Sequence, residues 1–342
     1  MAAGNSKPVV IAAFAGNTLV AITKFIAAWW TGSSAMLSEA VHSLVDTSNQ
    51  VLLLYGLRRA ERPPDAGHPL GYGREIYFWS FIVALLMFTI GAGVTLYEGI
   101  QHIRTPSEIV DARINYIVLA CAAIFEGGSW IVALREFGKS RGDLGYYQAM
   151  RQSKDPPTFI VLFEDSAALI GLLIAFLGTF ASDQLGMPVL DGVASIGISI
   201  LLGGTAFVLA RESMGLLIGE PASRQTREAI LGIAQKLDGI ERVQIIFTVH
   251  LAPDQVVIAL RLEFRDDLTA PAIEKITAEL EHRIHDAHPD IIAIFVKPQP
   301  VDRQATSLSH AALRPAGRSK SPDANHRASV RLSLPTDGSR QP

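Results

Sequence analysis

Residues 36–50 read Met-Leu-Ser-Glu-Ala-Val-His-Ser-Leu-Val-Asp-Thr-Ser-Asn-Gln, and they lie inside a stretch that is otherwise typical of a membrane span. The polar residues Glu39, His42, Asp46 and Asn49 are three or four positions apart, so a helix places all four on one face. An ionisable side chain inside a bilayer costs about 2.5–3.5 kcal/mol on insertion scales. A cluster of such groups therefore needs a partner, and the simplest one for an imidazole and a carboxylate is a divalent metal ion.

The composition predicts an integral membrane protein. The 342 residues are 49% hydrophobic and 18% charged, whereas soluble domains average about 25% charged. The mean hydropathy is +0.27. A formal net charge of -3 does not favour binding to nucleic acid, and the single cysteine, Cys121, excludes a disulfide within one chain and a cysteine zinc cluster.

The apolar segments predict an all-α membrane domain over residues 1–222, a six-helix transmembrane bundle. Six stretches approach the roughly 20 residues that a spanning helix needs: about 8–30, 33–55, 77–100, 113–134, 158–181 and 189–213. Basic residues concentrate on one side of these spans, which places both termini in the cytoplasm. The expected location is a multi-pass position in a bacterial inner membrane.

The pattern changes after about residue 223. An amphipathic helix at 224–237 is followed by β-rich stretches at 243–249 and 255–264, a helix at 270–287 and a strand at 290–297. The order α-β-β-α-β predicts a small α+β cytoplasmic domain of ferredoxin-like type over residues 223–300. Residues 301–342 are rich in Ser, Arg, Pro and Ala, which predicts a disordered tail.

The fifth span carries a second acidic candidate, the adjacent pair Glu164 and Asp165. Neighbouring residues on a helix point about 100° apart, and Val161, one turn before Asp165, cannot bind metal. The span thus offers one clear ligand, and two only if the helix is distorted. Alternatively, one of the two acids faces a loop or pairs with Lys24.

Each of the other polar groups has two possible roles. Glu39 and Asn49 would either support the ligands from a second layer or simply line a polar pathway. Glu126, beside two glycines in the fourth span, would serve helix packing or a proton relay. Asp65 and His68 would be a loop metal site or ordinary loop residues. The C-terminal group would be a regulatory metal site or a solvated helix end, and it comprises His282, His285, Asp286, His288 and Asp290.

Two motifs resemble the cation diffusion facilitator family of metal/proton antiporters. Residues 37–46, Leu-Ser-Glu-Ala-Val-His-Ser-Leu-Val-Asp, are similar to the family's second-helix motif, and residues 65–73, Asp-Ala-Gly-His-Pro-Leu-Gly-Tyr-Gly, are similar to its loop before helix three. The resemblance implies a homodimer, a metal site between helices two and five, and outward metal transport coupled to protons.

Position by position, the resemblance assigns metal-ligand roles to His42, Asp46 and Asp165. The family's first helix-five ligand falls on Val161, so the site is one ligand short unless Glu164 or a water molecule completes it. The stretch around Glu164 resembles the branch that contains the mitochondrial zinc transporter-like proteins.

The resemblance also bears on two further metal sites of the family. In the loop, Asp65 and His68 match two ligands of a secondary site, while Tyr72 stands where a third His can occur. In the C-terminal domain, Phe295 and Lys297 occupy the region where the family often has metal ligands, which argues against that site.

We therefore expect a secondary transporter that exports a divalent cation in exchange for protons, and Zn(II) is the expected cation. It would work in a lipid bilayer as a homodimer, without a prosthetic group and without nucleic acid. The alternatives are a transporter of Mn, Fe or Co, and a metal sensor or scaffold that kept the fold but does not transport. An enzyme is disfavoured because no nucleophile or oxyanion-stabilising group lies near the His–Asp pair in sequence.

Overall fold

The computed structural model describes residues 6–31, 34–105, 112–142, 144–185, 187 and 189–300. Within these ranges, the side chains of residues 31, 34–39, 41, 42, 112, 113 and 140 are outside the description. The predicted tail, 301–342, also lies outside the described residues. The described part of the chain belongs to one compact unit that ends at Pro300.

The first two thirds of the chain are helical. The helices are α1 (Ser6–Thr31), α2 (Ser34–Ala60), α3 (Glu75–Leu86), α4 (Gly93–Arg104), α5 (Ala112–Arg141), α6 (Tyr146–Gln152), α7 (Pro156–Leu185) and α8 (Val189–Ile218). A π-helical segment, Met87–Ala92, joins α3 to α4 without a break, so Glu75–Arg104 is one continuous span. Widened turns of this kind are frequent at functional sites.

Five helical segments of the described chain are long and apolar enough to cross a membrane: Ser6–Trp30, Glu75–Arg104, Ile114–Lys139, Pro156–Leu185 and Val189–Ile218. Helix α2, which we expected as the second of six spans, is 27 residues long but is not among them. The polar residues of 38–50 interrupt its apolar character. Large apolar side chains point outward on the other helices, for example Ile124 and Ile200, each 70% exposed, as lipid-facing residues do.

The fourth span was predicted to end near residue 134, which is too early. Helix α5 continues to Arg141, and the basic segment before the fifth span contains the short helix α6, which the sequence did not predict. The apolar core of the helical part lies between α1, α2, α3, α5, α7 and α8, and its largest fully buried side chains include Tyr77, Phe137 and Phe159.

The C-terminal part has the predicted order of elements. Helix α9 (Arg224–Gln235) precedes β1 (Ile240–Ala252) and β2 (Gln255–Phe264), and α10 (Ala270–Ala287) precedes β3 (Ile291–Pro298). The sheet order is β1-β2-β3, with β2 antiparallel to β1 and parallel to β3. A parallel pair needs a crossover connection, which α10 supplies. Alternate residues of β2 pack under the helices, led by Ile258, Leu260 and Leu262.

Polar contacts join the helical part to the sheet. The backbone N–H of His250 donates to the carbonyl of Glu220 at 3.0 Å, and the Ala222 N–H donates to Thr248 Oγ1 at 2.9 Å. The Lys154 ammonium also forms an ion pair with Glu220. The connector before α7, the end of α8 and strand β1 are thereby held together.

Candidate metal site

A cavity of about 60 Å³ lies among the helices of the apolar bundle. Its lining comes from six elements and consists of Asn17, Asp46, Met87, Gly91, Glu126, Glu164, Asp165, Ala168 and Leu202. Four of these residues are acidic, and they come from α2, α5 and α7. Met87 and Gly91 belong to the π-helical segment, so the widened turn of the third span forms part of the cavity wall.

Helix α2 contributes Asp46 to this cavity. The backbone of His42 lies one turn earlier in the same helix, but the side chains of His42 and Glu39 are outside the described residues. Asn49 is 2% exposed and is not part of the described lining. Of the four polar residues that we placed on one face of α2, the structure thus brings Asp46 to the cavity.

Helix α7 contributes both of its adjacent acids. Glu164 is 8% exposed and Asp165 is 2% exposed, and both line the cavity that Asp46 also lines. The structure therefore brings together three of the four residues proposed as ligands from the sequence. Val161 is 0% exposed and packs in the apolar core, so the position of the missing ligand is a core position.

Each of these two acids accepts a hydrogen bond from a different neighbouring helix. Gln50 Nε2 of α2 donates to Glu164 Oε2 at 3.2 Å, between buried groups. Ser129 Oγ of α5 donates to Asp165 Oδ2 at 2.7 Å, also between buried groups. The two carboxylates are therefore held by donors from two different helices, although they are neighbours in sequence.

Glu126 on α5 is the fourth acid of the cavity. Its Oε2 is buried and has no hydrogen-bond partner among the described residues. It lies within electrostatic range of Lys24, Asp46 and Asp165. Both readings of Glu126 from the sequence placed it in the bundle, and the structure adds that it shares the cavity with the proposed ligands.

Sequence reasoning missed Gln50 and Ser129. Gln50 follows Asp46 by four residues, and Ser129 follows Glu126 by three, so each continues a helix face that was already marked by an acid. That spacing was the available signal. Which acid each residue would meet on α7 depended on how the helices pack, and the spacing did not contain that information.

The loop between α2 and α3 holds Asp65 in a local network. Asp65 Oδ1 accepts hydrogen bonds from the N–H groups of Gly67 and His68, each at 2.8 Å, and Tyr72 donates to Asp65 Oδ2 at 2.6 Å. The Tyr72 hydrogen bond and the backbone donors lower the pKa of Asp65 below its usual value. His68 Nδ1 lies 3.5 Å from Asp65 Oδ1. Both oxygens of Asp65 are thus engaged by the loop itself.

The C-terminal histidines and acids are spread along the surface. His282 Nε2 lies 3.3 Å from Asp286 Oδ2, and His288 Nδ1 lies 4.0 Å from Asp290 Oδ1. Among all the side chains that the structure describes, no group of three or more His, Cys, Asp or Glu residues is arranged to hold a metal ion. The acids of the cavity accordingly line it without converging on one point.

The helical part of the chain is similar to known proteins. The family model of the cation efflux transmembrane domain matches residues 10–218. The mitochondrial proton-coupled zinc antiporter SLC30A9 of Xenopus laevis is 39% identical over 213 residues, which cover 62% of this chain and 38% of the relative. Metal tolerance protein C4 of Arabidopsis thaliana is 35% identical over 230 residues, covering 66% of this chain and 50% of the relative.

A bacterial relative is matched over more of its length. The cation-efflux pump FieF of Shigella flexneri serotype 5b (strain 8401) is 26% identical over 280 residues, covering 80% of this chain and 86% of the relative. By contrast, the chain spans half or less of the length of the SLC30A9 and metal tolerance relatives.

Proposed function

The chain belongs to the cation efflux family, and from that premise we propose that it is a secondary transporter exchanging a divalent metal cation for protons. The family is one of transporters, which favours a transport role over an enzymatic one. Zn(II) is the proposed first cargo, and export from the cytoplasm is the proposed direction. The observation that carries the proposal is the cavity in the bundle, which Asp46, Glu164 and Asp165 line together.

The electrostatics of that cavity support exchange of metal for protons. Ionised carboxylates buried in an apolar bundle destabilise it unless positive charge compensates them. A divalent cation supplies that charge, and so do protons that neutralise the acids. Metal ligands must be deprotonated to bind, so the two occupants compete for the same oxygens. Alternating exposure of the cavity to the two sides of the membrane would then exchange one occupant for the other.

The proposed ligands are Asp46 from α2 with Glu164 and Asp165 from α7, joined by His42 one turn before Asp46. Glu164 takes the role that Val161 cannot fill. One oxygen of Glu164 and one of Asp165 accept hydrogen bonds from neighbouring helices, which leaves the second oxygen of each to the ion. We propose that the acids close around the ion on binding.

The imidazole of His42 favours Zn(II), but a set dominated by carboxylate oxygens also suits Mn, Fe or Co. The relatives named as zinc antiporters support Zn(II) as the first choice. The loop residues Asp65 and His68 are proposed at most as a weak secondary site, because loop donors already occupy both oxygens of Asp65.

For the architecture, we propose that α2 is the sixth membrane span of a six-helix bundle. Its polar face would be tolerated because it lines the cavity rather than the lipid. We further propose a ferredoxin-like C-terminal domain and both termini in the cytoplasm. The basic residues concentrate at one set of helix ends, as that orientation requires.

A homodimer is also proposed, and the sheet offers a surface for it. Phe247 of β1, Ala259 of β2 and Phe295 of β3 lie in one row across the sheet. Phe247 is 50% exposed and Phe295 is 56% exposed. Two exposed aromatic side chains in one row form an apolar strip, which a second copy of the chain could cover.

The competing function is a metal sensor or scaffold that does not transport. Its support is the apolar core environment of Val161 and the lack, among described side chains, of a converged metal-binding group. Uptake of metal by vesicles under a proton gradient separates the two functions, since only a transporter accumulates metal in response to the gradient.

The deciding experiment measures metal-dependent proton flux in proteoliposomes that contain the purified protein. Asp46→Ala and Glu164→Gln should each abolish the flux while the protein still folds. Asp183→Asn is the matched control, because Asp183 is an exposed acid near the end of α7 and does not line the cavity. Full flux in Asp46→Ala would refute the assignment.

A further inference from the structure

Gln50 is a buried amide that the proposed mechanism does not yet use. It is 0% exposed on α2, four residues after Asp46 and thus on the same helix face. Its Nε2 donates to Glu164 Oε2 at 3.2 Å. Its Oε1 is buried and accepts no hydrogen bond from any described residue.

Packing alone does not explain an amide at this position. A buried polar atom without a partner destabilises a fold by its lost hydration, whereas an apolar side chain of similar shape costs nothing of that kind. The unpartnered Oε1 therefore offsets much of what the single hydrogen bond from Nε2 contributes. A leucine would fill the same space and remove the unpartnered Oε1, which offsets the hydrogen bond that Glu164 loses. The hydrogen bond to Glu164 therefore points to a role in the site rather than in stability.

We propose that Gln50 is a positioning residue that fixes the Glu164 carboxylate for metal binding. The inference rests on the proposed function, in which Glu164 replaces the ligand missing at Val161. A glutamate has more rotatable bonds than an aspartate, so its carboxylate needs an external contact to hold one position. Gln50 supplies that contact from α2, and it occupies Oε2 so that Oε1 is the oxygen offered to the ion.

The geometry on the other acid supports this assignment. Asp165 is held in the same manner by Ser129 of α5, so each acid of the adjacent pair has one donor on a different helix. Groups that orient metal ligands are typically worth about 10- to 100-fold in metal affinity. Gln50 would further link the ligand on α7 to the helix that carries Asp46, so that both halves of the site move together.

The test uses the full-length protein purified in detergent and measures Zn(II) affinity, thermal stability and the visible spectrum of bound Co(II). Gln50→Leu removes the donor and keeps the volume. Gln50→Asn keeps the amide but is one methylene shorter, which withdraws the donor from Glu164. Thr47→Val is the matched control, because Thr47 is a buried polar residue of α2 whose hydroxyl bonds within its own helix, to Ser43 O at 2.9 Å.

Both Gln50 variants should weaken Zn(II) binding by about 10- to 100-fold and change the Co(II) spectrum, while the melting temperature stays close to that of the parent. Thr47→Val should match the parent in affinity and spectrum. Gln50→Asn keeps the test decisive if Gln50→Leu fails to fold.

Glu164→Gln, measured in parallel, separates two kinds of failure. If it weakens binding and the Gln50 variants bind like the parent, the role of Gln50 is refuted and the proposed function stands. If Glu164→Gln itself binds like the parent, Glu164 is not a ligand, and the inference falls with that part of the proposed function. A lower melting temperature in the Gln50 variants without a change in affinity would show a structural role only.

Discussion

Two glycines on α7 allow the packing of the transmembrane helices to be tested with a built-in control. A Cβ atom at Gly178 would lie 2.4 Å from the Cβ of Ala194 on α8. A Cβ atom at Gly171 would meet nothing closer than Ile198 Cγ2 at 3.6 Å. We predict that Gly178→Ala destabilises the protein relative to Gly171→Ala, although the two substitutions are chemically identical.

The size of the difference follows from these distances. Carbon atoms pack best at about 3.5–4.0 Å, so Gly178→Ala forces α7 and α8 apart by about 1 Å. A Cβ atom cannot rotate away, and overpacking of this kind typically costs about 1–3 kcal/mol. Replacing a helical glycine by alanine stabilises either variant by about 0.5–1 kcal/mol. The helix propensity cancels between the variants, so their unfolding free energies should differ by about 1–3 kcal/mol.

Reversible unfolding of the purified protein in mixed detergent micelles measures that difference, with each variant compared with the parent. Gly178 lies 13 residues after Asp165, about 20 Å along α7 at the usual helical rise, so Zn(II) affinity should be unchanged in Gly178→Ala. The close approach of α7 to α8 would be refuted if Gly178→Ala were as stable as Gly171→Ala.

Three other perturbations have defined outcomes. Burial raises the pKa of Asp155 to about 6, so near pH 5 the folded state holds a proton that the unfolded state has lost. The free energy of unfolding should therefore fall by about 1 kcal/mol from pH 5 to pH 7. Unfolding curves of Asp155→Asn at the two pH values should not show this loss. Arg59 donates three hydrogen bonds to the Glu75 carboxylate across the base of the 61–74 loop, so Arg59→Lys should speed hydrogen exchange in that loop, whereas the exposed Arg58→Lys should not. Val161 is fully buried in the apolar core, so Val161→Asp should destabilise the protein by about 1–3 kcal/mol without raising Zn(II) affinity in a binding titration.

The sequence predicted most of the secondary structure because its apolar periods are long and uninterrupted. The bounds of β2 and of α10 were predicted to the residue, and the order of the C-terminal elements is confirmed. The π-helical segment Met87–Ala92 was missed, since no local composition rule separates a widened turn from an ordinary helical turn. Helix α6 was missed because its seven residues lie in a basic connection that resembles a loop.

The candidate site was predicted in its residue types and only partly in its geometry. Spacing along α2 marked Asp46, which lines the cavity, because the positions of acids along one helix face can be read from the sequence. The hydrogen bonds from Gln50 and Ser129 join residues 114 and 36 positions apart. Such partners depend on which helices become neighbours, and neither composition nor periodicity of one chain fixes that.

The acids of α7 show how a strict rule of helix geometry can mislead. Neighbouring residues are rotated by about 100°, and on that ground the sequence favoured Asp165 over Glu164 as a ligand. Both nevertheless line one cavity, because the rule applies to Cβ directions and a carboxylate is one or two bonds further out. Glutamate has one methylene more than aspartate, and each carboxylate accepts a hydrogen bond from a different helix, Glu164 from Gln50 and Asp165 from Ser129. An adjacent Glu-Asp pair can therefore offer two carboxylate oxygens to one cavity, as two residues spaced by one helical turn would. This is why a buried valine at position 161 does not leave α7 with a single acid for the site.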